Sequence, residues 1–143
     1  MDTQVESIPA EVIVTEKAAS NCFACGLSNA RGLRLIFRAA PDGSMSALWS
    51  PEADLEGYHG IVHGGLVSTV LDEAMAKVAA ATGARWLTAE LTVRFKQQTP
   101  SGASLRVRGW IANRNRRMIK AEAELLQEDG TELAHGWATF LPA

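Results

Sequence analysis

The sequence predicts an α+β domain in which one antiparallel sheet of about six strands has its apolar face covered by a single long helix. Three observations carry this. Apolar residues alternate with period two from Gly32 to Trp49. A run at helical spacing follows, and four more alternating segments close the chain. A length of 143 residues fits one domain with one core.

Residues 1–20 show no sustained period beyond the short apolar run VIV at 12–14 and read as an extended or partly disordered lead-in to a domain spanning 21–143. In the first hairpin, Leu33, Leu35 and Phe37 alternate, PDGS makes the turn, and Met45, Ala47 and Trp49 alternate again. The polar link SPEADLEGYHG leads to Leu66, Val67, Val70, Leu71, Ala74, Met75, Val78 and Ala79, which share one helical face, with Gly83 as the stop. The four later strands carry Leu87, Ala89, Leu91, Val93 and Phe95, then Leu105, Val107 and Ile111. Ile119, Ala121, Ala123 and Leu125 follow, then Leu133, His135, Trp137 and Leu141. One helix is a narrow cover for six strands, so the architecture predicts a homodimer that completes the burial.

A net charge of −2 argues against nucleic acid as a partner. The acidic first residues do not resemble a signal peptide and no run is long enough to span a bilayer, which predicts a cytoplasmic protein with no membrane partner. Cys22 and Cys25 form one Cys-x-x-Cys, half the ligand set of a tetrahedral zinc, in a stretch rich in turn residues. It reads as a reduced structural loop.

Chemistry concentrates in VHGGLVSTVLDEAM, residues 62–75. Gly64 and Gly65 follow His63 where the helix begins, leaving N–H groups and the positive end of the helix dipole open to a developing oxyanion. A plain helix start with flexible glycines is the competing reading. Of the two carboxylates, Glu73 has Lys77 four residues on and reads as half of an ion pair on a solvated face. Asp72 has no cation on its stripe, so it is either satisfied by distant groups or poised for reaction. Nine residues of helix put His63 and Asp72 about 13 Å apart along the axis, so a site using both must be shared between two copies.

From Arg94 to Lys120 there are eight basic residues and no acidic one. Within this run Arg114, Arg116 and Arg117 in the loop NRNRR suit a phosphorylated handle such as that of coenzyme A, against the alternative of a solvated turn. His59 either lines the pocket or sits on the surface, and His135, on the register of Leu133 and Trp137, reads as a core or interface histidine. No third ligand joins the histidines at a sensible spacing, so neither a catalytic metal nor a cofactor is expected.

The arrangement CFACG…GLRLIF…GIVHGGLVSTVLDEAM…LTAELTVRFKQQTP, from Cys22 onward, resembles the phenylacetyl-coenzyme-A thioesterase-like branch of the hotdog-fold acyl-coenzyme-A thioesterases. The resemblance implies a sheet wrapped around a central helix, dimers with a continuous sheet, often paired again into tetramers, and hydrolysis of acyl-coenzyme-A esters. Carried over by position, Asp72 is the nucleophile or general base, Gly64 supplies the oxyanion N–H, His63 orients that end of the site, and Thr88 positions the acid or its water. Gly65, His59, Arg114 and Arg116 then join the substrate-binding set. Thr88 shares the even register of Glu90 and Arg94, so it needs a bulge or the dimer seam to reach the acid. Relatives often have Asn or Gln six residues before the motif histidine, where this chain has Gly57. A hotdog protein that binds acyl-coenzyme A without cleaving it, and a hydroxyacyl dehydratase, are the alternatives.

Overall fold

The computed structural model describes residues 20–143, so the 1–20 lead-in and the VIV run lie almost wholly outside the described residues. The described residues form six strands: β1 (Arg38–Ala39), β2 (Met45–Trp49), β3 (Trp86–Phe95), β4 (Leu105–Arg114), β5 (Ile119–Gln127) and β6 (Glu132–Pro142). They form one antiparallel sheet in the order β1-β2-β4-β5-β6-β3, with the helix α1 (Gly64–Ala80) across its concave face. This is the hotdog arrangement.

The helix can lie close because the floor beneath it is built of small residues. Ala121, Ala123, Ala134 and Ala138 are buried there, and a Cβ added to Gly109 would come within 2.7 Å of the Ala74 carbonyl oxygen. Val67, Val70, Leu71, Ala74, Met75 and Val78 fill the space between helix and sheet with Val107, Ile119, Leu125 and Phe140. Burying each large side chain contributes about 1.5–3 kcal/mol. No helix among the described residues is long and apolar enough to cross a membrane.

Three sequence expectations are corrected. The first alternating stretch is strand only at Arg38–Ala39, although Leu35 and Phe37 are buried as expected. Its backbone pairs with the cysteine loop instead, Leu33 N–H donating to Phe23 O (2.8 Å) and Leu35 N–H to Ala24 O (2.9 Å). In β6 the inner face is Ala134, Gly136, Ala138 and Phe140, whereas His135, Trp137 and Leu141 face outward. An irregularity at Leu133, opposite Leu125–Leu126, buries Leu133 and Ala134 together and shifts the phase of all that follows.

The third correction concerns Glu73 and Lys77, which are 4% and 3% exposed, so theirs is no solvated face. The Cys22–Cys25 loop and the segment to Phe37 close over that side of the helix, with the Lys77 ammonium 6.0 Å above the Phe37 ring.

Candidate active site

His63 precedes the first helical residue, and its Nδ1 accepts the Gly65 N–H at 2.9 Å. The histidine is thus a side-chain cap, and its neutral tautomer carries the proton on Nε2. Gly65 is thereby committed to the cap. The Gly64 N–H has no acceptor among the described residues and lines a cleft of about 680 Å³, the size of a small-molecule site. Tyr58, Val62, Val67, Phe95 and Gln98 contribute to the walls. Gly57 also lines the cleft, lying against His63 with room for a Cβ at van der Waals distance, 3.4 Å from the His63 Cα. His59 does not line it. Its side chain is fully exposed, 3.8 Å from Glu56.

Asp72 lies just over two turns further along α1 and is absent from that cleft. The Thr88 hydroxyl donates to its Oδ1 at 2.7 Å. A β-bulge brings this about. The β3–β6 ladder pairs Thr88 with Phe140 and then Glu90 with Thr139, leaving Ala89 without a partner position. Thr88 therefore shares the inner face with buried Phe140. After the bulge, Leu91, Val93 and Phe95 pair with Ala138, Gly136 and Ala134 and take that face over.

The inner face of β3 is only partly covered: Leu91 is 36% and Phe95 52% exposed, while Leu87 on the outer side is 63% exposed. As the last strand of the sheet, β3 also has one edge with no strand beside it among the described residues.

The basic run divides in three dimensions. Arg108 stacks on Trp110 at 4.7 Å and lies 3.4 Å from both Glu124 and Asp42, and Lys96 pairs with Glu132. Arg114, Arg116 and Arg117 remain exposed around the β4–β5 turn. Arg114 is opposite Ile119, Ile119 opposite Phe140, and Phe140 opposite Thr88, so this turn lies at the Asp72 end of the sheet.

On the outer face His135 bridges Glu132 (2.5 Å) and Glu122 (2.9 Å) between Trp110 and Trp137. Burial alone would lower its pKa, but the hydrogen bonds and charges of the two glutamates outweigh burial and hold it above the usual histidine value. It is neither a core residue nor part of the cleft.

A model of the thioesterase superfamily matches residues 59–134, more than half of the chain. The chain belongs to the thioesterase superfamily. Membership supports a thioester hydrolase.

A crystal structure of another thioesterase superfamily protein is similar over 96% of this chain and 71% of its own, with a TM-score of 0.82 at 22% identity. A putative thioesterase of Ralstonia eutropha, described as related to phenylacetic acid degradation, is 28% identical over 76% of this chain and 85% of its own, with a TM-score of 0.70. A Streptococcus mutans protein bound to acetyl-CoA has a TM-score of 0.71 over 76% of this chain and 88% of its own; at 17% identity, that likeness shows the fold alone. No curated protein matches the chain significantly.

Proposed function

We propose that the protein is an acyl-coenzyme-A thioesterase whose site forms between two copies of the chain. The observation that carries this is the separation of parts: Gly64 lines a cleft without Asp72, and Asp72 is held by Thr88 on a strand with no neighbour on one edge among the described residues. Side-by-side pairing of two β3 strands would continue the sheet, cover Leu91 and Phe95, and bring the acid of one protomer toward the other's cleft. A second pairing of such dimers gives the tetramer.

In this site the Gly64 N–H and the helix dipole stabilise the thioester oxygen as it gains charge, and the His63 cap holds that first turn in place. Asp72 either attacks the carbonyl carbon or takes the proton of an attacking water, with Thr88 fixing one carboxylate oxygen. Arg114 and Arg116, at the Asp72 end of the sheet, hold the phosphates of coenzyme A. The acyl chain enters along Val67, Phe95 and the partner's apolar surface. The acetyl-CoA bound by the S. mutans protein of the same fold supports the substrate class.

The test is release of free coenzyme A across short, long and aromatic acyl-coenzyme-A esters. Turnover of at least one class is expected. Binding across the panel without turnover would favour instead a non-catalytic acyl-coenzyme-A-binding protein, the reading that Gly57 supports by putting no side-chain amide where relatives have one. An enoyl product would mark a dehydratase.

A further inference from the structure

The loop that closes over the buried side of α1 brings three metal-ligand types together. The Cys22 and Cys25 sulfurs and a Glu73 carboxylate oxygen all lie within 4.8 Å of one another. Cys22 is half-buried, Cys25 is 1% exposed and Glu73 is 4% exposed. From these residues we infer a structural zinc site that fastens the cysteine loop to the central helix.

The geometry starts from the turn. Gly26 N–H donates to Cys22 O at 2.8 Å, curling Cys-Phe-Ala-Cys so that both thiols face α1. Only glycine fits after the second cysteine, because a Cβ there would be 2.2 Å from Ser20 O and 2.4 Å from Cys22 N. In a tetrahedral zinc site, with bonds of about 2.3 Å to sulfur and about 2.0–2.2 Å to oxygen, donors sit roughly 3.5–3.8 Å apart. The three donors, all within 4.8 Å of one another, therefore need to close by at most about 1.0–1.3 Å, within reach of a two-residue loop and a glutamate side chain. With three protein donors, a water molecule completes the tetrahedron.

Charge favours the same assignment. Coordination releases the two thiol protons to solvent, leaving two thiolates and one carboxylate around one Zn²⁺. Three negative charges against two positive leave −1, which the neighbouring Lys77 ammonium, near enough to act electrostatically on Cys25, neutralises. A buried set of two thiols, a carboxylate and an ammonium is an expensive way to fill a helix face that apolar side chains could fill, unless the set holds something.

A disulfide is the competing use of the pair. Both cysteines are free thiols in this structure, and each sulfur lies within 4.8 Å of the Glu73 carboxylate as well as of the other sulfur.

The experiment is cobalt and zinc binding to the full chain, reduced and stripped of metal. One equivalent of Co²⁺ should give thiolate-to-metal charge-transfer absorption that one equivalent of Zn²⁺ abolishes. Zinc should raise the melting temperature of the wild type and not that of the Cys22→Ser/Cys25→Ser chain. Glu73→Gln should weaken zinc by more than the ~10–100-fold that loss of an outer partner costs. The inference is overturned by a folded, reduced wild type with no such absorption, by zinc retained in the double-serine chain, or by Glu73→Gln affinity equal to wild type. The first readout needs no variant to fold.

Discussion

The two ends of the working stretch of α1 are built for different tasks. At Gly64 the helix offers a bare N–H, a capping histidine and a cleft, with no carboxylate in its walls. About two turns on it offers a carboxylate with a hydroxyl tied to it, and no place there in that cleft. The first end attracts negative charge and the second supplies it. Within one rigid helix they cannot be brought together, so a reaction that uses both, as proposed, has to draw them from two copies of the chain.

The largest effect should come from the acid end. Asp72→Asn keeps the shape and the Thr88 contact but removes the charge, and acyl-coenzyme-A hydrolysis should fall by about 10²–10⁴-fold while substrate affinity holds. Full turnover in the purified variant would remove Asp72 from the mechanism.

At the other end, Gly64→Pro deletes the N–H and adds a small ring whose Cβ fits at van der Waals distance, 3.5 Å from the Phe95 ring. Proline suits the first helical position, and His63 already has the extended backbone (ψ 132°) that a residue before proline needs. The loss should be about 10²–10³-fold. Mixing Gly64→Pro chains with Asp72→Asn chains should restore activity to part of the population, because one site in a mixed dimer has both intact halves. Mixed dimers as inactive as either parent would show that both halves are used within one chain.

A smaller change tests the tether. Thr88→Val removes a hydrogen bond to a charged group, and kcat should drop on the order of tenfold, with little change in the melting temperature. An unaltered kcat would reduce that contact to packing.

The smallest effect should be on the outer face, on the side of the sheet away from the helix. The raised pKa of His135 means that its stabilising contribution is complete below about 6.5, the unfolded value, and is lost as pH rises through the higher folded value. Wild type should exceed His135→Gln in urea stability at low pH, and the gap should narrow as pH rises. A gap constant with pH would contradict the ion-pair account, and a change in kcat would tie the outer face to the site.

Much of this was legible in the sequence because its periods are long and clean. Val67 to Val78 at helical spacing and Ile119 to Leu125 at period two became the helix and β5. The separation of His63 from Asp72 by about 13 Å along the axis needed only helix geometry. Phase was not legible: one unpaired residue at Ala89 and one at Leu133 reverse which side chains face inward, and no composition signal marks either. Glu73 and Lys77 misled for a related reason. An i,i+4 pair looks alike whether water or a loop lies over it, and the covering loop comes from about fifty residues earlier in the chain. Its only trace was Cys22–Cys25, half a ligand set whose third donor belongs to another element.

The extra residue at Ala89 makes β3 two short strands of opposite phase joined end to end. The first half can lend a threonine to the inner side, while the second presents leucine, valine and phenylalanine to the same side. A strand of unbroken alternation would have to choose between serving polar chemistry and serving an apolar seam. Tolerance to substitution along β3 should therefore change parity at residue 89, and deleting that one alanine should disturb more than any single replacement in the strand. Insertion of a residue is thus a means of changing what a surface does without changing what it is made of.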